Sequence, residues 1–422
     1  MHGAAASFTP RDQVKTRRIL FIGLNYAPEP IGIGPYSAGL VESLVERGHE
    51  VRAIVGQPYY PDWKLFPNFK RRWQTSVENG VSVTRCPHYI PADPTGSKRI
   101  AHHASFASSA YPAARRARRD FQPDLVFTVA PSMISAPVAI RMARRAGVPL
   151  WLHMQDFEVG AALATGLIDK ASRTASAAAR FEDAILHSAQ LVSTISPPMC
   201  EMLVRKGVPP KRILELRNWA NHIGRIENSD GMRFRKEWAL EGKFVALYSG
   251  NIANKQGLEV VIEAARLMQD RPDVVFVVCG EGPNRKRLKA MAEGLSNIQF
   301  HDLVPEERIG DLLSMADVHL LPQLHDAADL VLPSKLGNML ASGRPVIATV
   351  RPNTGIAREL LDCGIAVPPE VPEAIVTAVK ALAAHPDYLS TMGRKAKERA
   401  HSAWSKDAVV DRFEDGLARL LG

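Results

Sequence analysis

The sequence predicts an α/β protein of two domains, each built on a parallel sheet. Three observations carry that expectation. At 422 residues the chain exceeds what one compact core supports. Short buried β-branched runs alternate with stretches of helical period along most of its length. A hydrophobic content of 46% with 23% charged residues is that of an ordinary globular protein and excludes a disordered chain. Ligands of such sheets sit beyond the carboxyl ends of the strands, so function is sought in the loops there.

Residues 1–16 are polar and alanine-rich, and read as a disordered extension with no secretory signal. Arg18 to Leu24 is the first buried strand, followed by the loop Ile31-Gly32-Ile33-Gly34-Pro35, a helix over Tyr36 to Arg47 closed by Gly48, and a strand over Glu50 to Val55. Gly32 and Gly34 can bring backbone amides close to a phosphate. Ser37 stands near where a dinucleotide fingerprint needs its third glycine, which disfavours an NAD-dependent oxidoreductase.

Pro58-Tyr59-Tyr60-Pro61-Asp62-Trp63 is an aromatic cluster, and Tyr59, Tyr60 and Trp63 read either as loop packing or as platforms for a sugar ring, an acceptor site. Arg99 to Arg119 combines an apolar face with four closely spaced arginines and reads either as a segment lying on an anionic membrane or as a buried helix with a solvated cationic end; Pro112 interrupts it. Strands over 124–129, 149–154 and 191–195 alternate with helical stretches over 134–146 and 171–189. The strand-end loop Leu152 to Glu158 holds His153, Gln155 and Asp156, which reads either as a catalytic group or, for a lone histidine in a strand, as a structural one.

The polar stretch 222–235 reads as a linker, placing a first domain at 17–221 and a second at 236–403. The second series runs through strands at 244–250, 274–279, 298–301, 318–321 and 346–349, with the turn Gly280-Glu281-Gly282 after one of them. Asp329 to Leu340 is expected to be a loop bearing a carboxylate and then a helix whose first turn holds Pro333, Ser334 and Lys335. Free amides and an ammonium together make that turn a place for an anion. Residues 404–422 form a last amphipathic helix.

The four cysteines, Cys86, Cys200, Cys279 and Cys363, lie far apart, which argues against a zinc site or a disulfide framework and suits a reducing compartment. No stretch is long and uncharged enough to span a bilayer. The first 215 residues carry 27 Lys and Arg against 17 Asp and Glu, so the net charge of +9 lives in the first half. An anionic surface is implied as a partner; the charges lack the aromatic interleaving of a nucleic-acid groove.

The loop Gly23 to Glu29 with Gly32 and Gly34, the segment Tyr248 to Ile252 with Lys255 to Glu259, and Val331-Leu332-Pro333-Ser334-Lys335-Leu336 resemble, in this order, the family 4 retaining glycosyltransferases. More narrowly they are similar to the WcaI-type enzymes of bacterial colanic-acid and exopolysaccharide synthesis. The resemblance implies a GT-B architecture, two Rossmann-like domains facing across a cleft, with the acceptor mainly on the first, the nucleotide-sugar on the second, and the last helix returning to the first.

Residue by residue, it implies that Gly32 and Gly34 approach the donor diphosphate and that Asp156 is the acid of the family's His-Asp pair, with Gln155 at the histidine position and His153 two residues early. Asn251 and Gln256 stand where relatives carry cations, so diphosphate neutralisation passes to Lys255 and Lys335. Gly250 and Gly280-Glu281-Gly282 match turns near the nucleotide. Leu332, Pro333 and Ser334 lie in the donor loop, while Asp329 and Asn338 stand at or beside the family's two acidic positions. Neither a metal nor a cofactor is implied. The expected reaction is sugar transfer, fucose first, from a GDP-sugar or second a UDP-sugar to a lipid-linked glycan, by an enzyme held peripherally at the cytoplasmic face of the membrane. A nucleotide-sugar epimerase of the same architecture is the alternative.

Overall fold

The computed structural model describes residues 15–157, 172–253, 256–325 and 332–422. It divides into two compact units. Met1–Thr194, Leu203–Leu216 and Arg412–Gly422 make the first, and Ile195–Met202 with Arg217–Asp411 the second.

In the first unit β1 (Arg18–Gly23), β2 (Glu50–Gly56), β3 (Gln74–Glu78), β4 (Val81–Cys86), β5 (Leu125–Ala130), β6 (Leu150–Met154), β7 (Leu191–Thr194) and β8 (Ile213–Glu215) form one sheet. Their order is β3-β4-β2-β1-β5-β6-β7-β8. All neighbours are parallel except β3 and β4, an antiparallel pair turned by Asn79 and Gly80, both at positive φ. Ile19 to Ile22 are fully buried because both faces and both edges of β1 are covered, with β2 on one side and β5 on the other. The carboxyl ends at Gly23, Gly56 and Ala130 therefore fall along one edge.

Helix α1 (Gly34–Glu46) follows β1, and α2 (Gly96–Phe121) and α3 (Ala136–Ala146) flank β5. Of the two readings of the basic segment the buried helix with a solvated cationic end is the one observed: α2 buries His102, Phe106, Ala110, Ala114 and Phe121 within the unit, while Arg115, Arg116 and Arg119 are exposed. Pro112 does not break the helix. It is exposed, as is Ser108 one turn back, so the carbonyl that loses its partner can face water.

The second unit has a six-stranded, wholly parallel sheet, β11-β10-β9-β12-β13-β14. Its strands are β9 (Phe244–Ser249), β10 (Val274–Cys279), β11 (Ile298–His301), β12 (Val318–Leu321), β13 (Val346–Thr349) and β14 (Gly364–Val367). The expected linker at 222–235 is not one. It forms the short helices Ile223–Glu227 and Met232–Glu237, which bury Ile226 and Phe234 in the second unit. Residues 195–202 and 404–411 also belong to this unit, so neither expected boundary is a single crossing point.

The final helix, Lys406–Leu421, supplies Phe413 to the first unit, where its ring stacks on Trp151 at 4.2 Å and meets Phe127 edge-on at 5.1 Å. Gly416 lets the helix approach: any Cβ there would collide with the Trp151 ring. Glu414 pairs with the buried His49 at 2.9 Å. Phe413→Ala is expected to cost about 3–5 kcal/mol of stability through the lost burial and the cavity left behind. Urea unfolding of the full chain measures it, and an unchanged midpoint would contradict this account of the helix.

Candidate functional site

In the second unit, β9 and β10 end side by side and their loops interlock. Gly250 N–H donates to the Cys279 carbonyl at 3.0 Å, and Ile252 N–H to the Glu281 carbonyl at 2.8 Å. The approach is close enough that a Cβ on Gly280 would strike the Gly250 carbonyl oxygen, and one on Gly282 the Ile252 carbonyl, which is why both positions need glycine. Tyr248, fully buried at the end of β9, donates its hydroxyl to the Asn251 carbonyl at 2.6 Å and so fixes the exposed Asn251.

The helix Ser334–Ala341 points its first turn at this loop. Pro333 occupies the cap position instead of the first turn, and no side chain caps the free amides behind it. Lys335 lies with its ammonium 4.2 Å from the centre of the Tyr248 ring and 3.8 Å from the position a Cβ on Gly250 would take. The residue keeps some exposure, but its ammonium end is desolvated, and burial pulls its pKa from 10.5 down to about 7. Ser334 is exposed beside it. Amides without a cap, an ammonium and a tight glycine turn converge on one spot, which is the chemistry of an anion site.

Other expected donor residues take different places. Leu332 is buried in the core of the second unit, near Gly355, so its side chain packs and does not face a ligand. Asn338 accepts from the His222 N–H through Oδ1 at 3.2 Å, leaving its amide nitrogen for other use. Glu281 pairs with Arg285 at 2.8 Å and contributes to the turn through its backbone. Gln256 is half-buried. Lys255 and Asp329 lie outside the described residues.

In the first unit the glycine loop follows β1, and the aromatic cluster follows β2. A carboxylate that sequence reasoning missed ties them: Glu29, 3% exposed, accepts from the Tyr59 and Tyr60 N–H groups at 3.1 Å and from Asn25 Nδ2 at 2.9 Å. Burial raises its pKa, and those hydrogen bonds oppose the rise. Gly32 lets the loop pass the Tyr60 ring, which a Cβ there would meet at 3.2 Å, and Gly34 is buried at the start of α1.

Tyr59 is not the open platform expected. It is 4% exposed, with rings of Trp63 and His102 at 5.1 and 4.6 Å, and its hydroxyl accepts from Asn25; Tyr60 and Trp63 keep partial exposure. His153 likewise sits inside β6. Its Nδ1 meets Ser193 Oγ at 2.9 Å, its Nε2 meets the Gln155 side chain at 2.7 Å, and burial lowers its pKa to about 3. A neutral imidazole engaged at both nitrogens orients Gln155 and cannot serve as a solvent-facing base. Asp156, next along the loop, is exposed and accepts from the Phe157 N–H at 2.7 Å. The histidine that does reach the strand-end edge is His103, half-buried, with Nδ1 3.1 Å from Ser132 Oγ after β5. Its sequence context, a basic helical segment, gave no signal of that.

Residues 32–219 match the family model for a glycosyl transferase 4-like domain, and 232–399 that for glycosyl transferases group 1. WcaI of Escherichia coli K12, named as a glycosyl transferase of colanic acid biosynthesis, is 38% identical over 408 residues, 94% of this chain and 98% of that one. Two solved structures share the fold. A sucrose-phosphate synthase from Thermosynechococcus elongatus superposes with a TM-score of 0.67 at 18% identity, covering 96% of this chain and 99% of its own. HepE from Anabaena, in complex with UDP, gives 0.67 at 14% identity, covering 96% and 100%.

Lys335→Met is expected to stabilise the ligand-free protein, because it removes a desolvated cation. Between the folded pKa of about 7 and the ordinary 10.5, the unfolded chain holds a proton that the folded chain has released, so this lysine makes stability rise with pH across that window. The advantage of the Met variant is thus largest below pH 7, declines through the window and is gone above it. Denaturation of both proteins at about pH 6, 8 and 10 checks the sign. A gap that widens with pH would be incompatible with a desolvated Lys335.

Proposed function

The chain belongs to the family 4 glycosyltransferases, and on that premise we propose that it moves one sugar from a nucleotide-sugar to a lipid-linked oligosaccharide in exopolysaccharide synthesis. The observation that carries this reading is the anion site of Lys335, the free amides of Ser334–Ala341 and the Gly280–Gly282 turn, which suits a diphosphate. Its likeness to HepE, whose structures hold UDP and UDP-glucose, and to WcaI, named for colanic acid, supports a nucleotide-sugar donor and a polysaccharide product. Fucose carried by GDP is the first choice of donor, and a UDP-sugar the second.

Chemically, the departing diphosphate gathers negative charge. Lys335 and the amides behind it are fixed before reaction, so they stabilise that charge more in the transition state than in the ground state. No metal ion is needed for that step. A donor phosphate oxygen takes the proton of the attacking hydroxyl on the same face of the sugar, so configuration is retained without a protein nucleophile. Asp156, exposed at the end of β6, and the half-buried Tyr60 and Trp63 serve the acceptor. No helix among the described residues is long and apolar enough to cross a membrane. Contact with the cytoplasmic leaflet falls to the exposed arginines of the first unit, at about 1 kcal/mol each near an anionic surface.

A thermal-shift series with GDP, UDP, ADP and NAD names the donor class, with about 2.7 kcal/mol of stabilisation expected at a hundredfold excess over Kd. Transfer assays follow with the nucleotide-sugar so identified. Lys335→Ala is expected to lower kcat/KM by about 10²–10³-fold, and EDTA to leave the wild-type rate unchanged. Stabilisation by NAD alone would reject the reading, and donor turnover without acceptor would point to an epimerase.

A further inference from the structure

A cavity of about 650 Å³ opens in the first unit over the middle of β2 and β4, on the face that α2 partly covers and not beyond the strand ends where the glycine and aromatic loops gather. Its floor follows from the alternation Val81-Ser82-Val83-Thr84. The valines are fully buried on the opposite face, so Ser82 and Thr84 turn their hydroxyls into the cavity, beside Arg52 and Ile54 of β2. On the α2 side the small Pro112, Ala113 and Ala117 leave the space open.

Three further groups make this more than a packing gap. Trp73 lines it, 54% exposed yet held by its Nε1–H donating to the Ser109 carbonyl at 3.1 Å. Arg116 and Asp120 stand at the rim, paired at 3.6 Å. The Arg52 guanidinium rests 4.8 Å from the centre of the Phe121 ring, and no carboxylate among the described residues pairs with it. An indole fixed in orientation offers an apolar platform, hydroxyls and an Arg-Asp pair exchange hydrogen bonds with vicinal hydroxyls, and the volume lies within the roughly 300–1,000 Å³ of ligand pockets. Because Asp120 balances Arg116, Arg52 is left as net positive charge, which a planar carboxylate fits.

We propose that this cavity is a second, non-catalytic saccharide site that takes a stretch of glycan bearing a uronate, with a sugar face on Trp73 and the carboxylate on Arg52. The proposal does not rest on the transfer reaction above, since its residues contribute nothing to the anion site of the second unit.

Calorimetric titration of the full chain with a hyaluronan tetrasaccharide, which alternates glucuronate with N-acetylglucosamine, and with neutral maltotetraose tests it. The uronate probe is expected to bind and the neutral one to bind at least about tenfold more weakly. Trp73→Ala and Arg52→Gln should each weaken the uronate probe by about tenfold or more, while nucleotide stabilisation stays as in the wild type. In the wild type, the Trp73 indole N–H resonance should shift on titration, which decides the matter even where Trp73→Ala does not fold. No binding of the uronate probe, equal binding of both tetrasaccharides, or binding indifferent to both substitutions would overturn it.

Discussion

The anion site of the second unit depends on a buried carboxylate that does not belong to it. Glu359, 3% exposed, accepts from Arg217 at 2.7 Å, from Arg399 at 2.9 and 2.8 Å, and from the Trp404 indole at 2.6 Å. Burial alone would raise its pKa, yet the hydrogen bonds from Arg399 and Arg217 outweigh that and hold it near 2. The four groups come from three parts of the chain far apart in sequence, Arg399 and Trp404 sharing the end of one helix. Trp404, so anchored, lies against Gly337 in the helix that carries Lys335, where a Cβ would be 2.6 Å from the ring. A buried ion group contributes little net stability in general, but loss of one member leaves an unpaired charge. Its value here is positional: it sets the depth of a helix whose first turn must face the Gly250 loop.

The two strand-end sites are built on opposite principles. In the second unit a cation, Lys335, backed by amide dipoles, stands at the interlocked loops, where Glu281 is paired with Arg285, and the backbone approaches too closely for side chains at Gly280 and Gly282. In the first unit the organising group is the carboxyl of Glu29, bonded to the Tyr59 and Tyr60 amides; His88 and His102 stand against the Tyr59 ring with His103 beside His102, and burial lowers the pKa of each imidazole, His88 to about 3 and His103 to about 4. One arrangement suits a negatively charged leaving group. The other is a carboxyl spent on backbone amides, which fixes the loop that carries Tyr59 and Tyr60.

Apolar runs made many of the parallel strands legible almost to the residue, with β10, β11, β12 and β13 where expected, but the parallel strands β4, β8 and β14 were not read. The turn at Asn79-Gly80 carried its own hairpin signal, but β3 beside it is largely exposed and has no apolar run to announce it. Short helices over 223–237 escaped notice because a polar stretch with a few apolar residues has the composition of a linker, and only tertiary contact shows Phe234 at 1% exposure. For the sites, glycines and Lys335 were readable because their chemistry is local. Glu29, Glu359 and His103 were not, because their meaning comes from partners distant in sequence, such as Ser132 for His103 and Trp404 for Glu359. His153 erred the other way: a histidine at a strand end looks catalytic until its burial is known.

The lowered pKa of Lys335 bears on how its site would hold an anion. An arginine stays charged in any protein environment, so a ligand-free site holding one must keep it solvated or paired. A lysine desolvated against Tyr248 has another option, because with a pKa of about 7 it holds its proton only in part near neutral pH. An anion placed beside it would raise that pKa, so a proton and the ligand would bind together. The empty site would thereby lessen the cost of an isolated buried charge, and an occupied one would regain the charge. Tyr248 makes both states possible, since its ring face tolerates the neutral amine and attracts the ammonium, while its hydroxyl holds the Asn251 loop in place throughout.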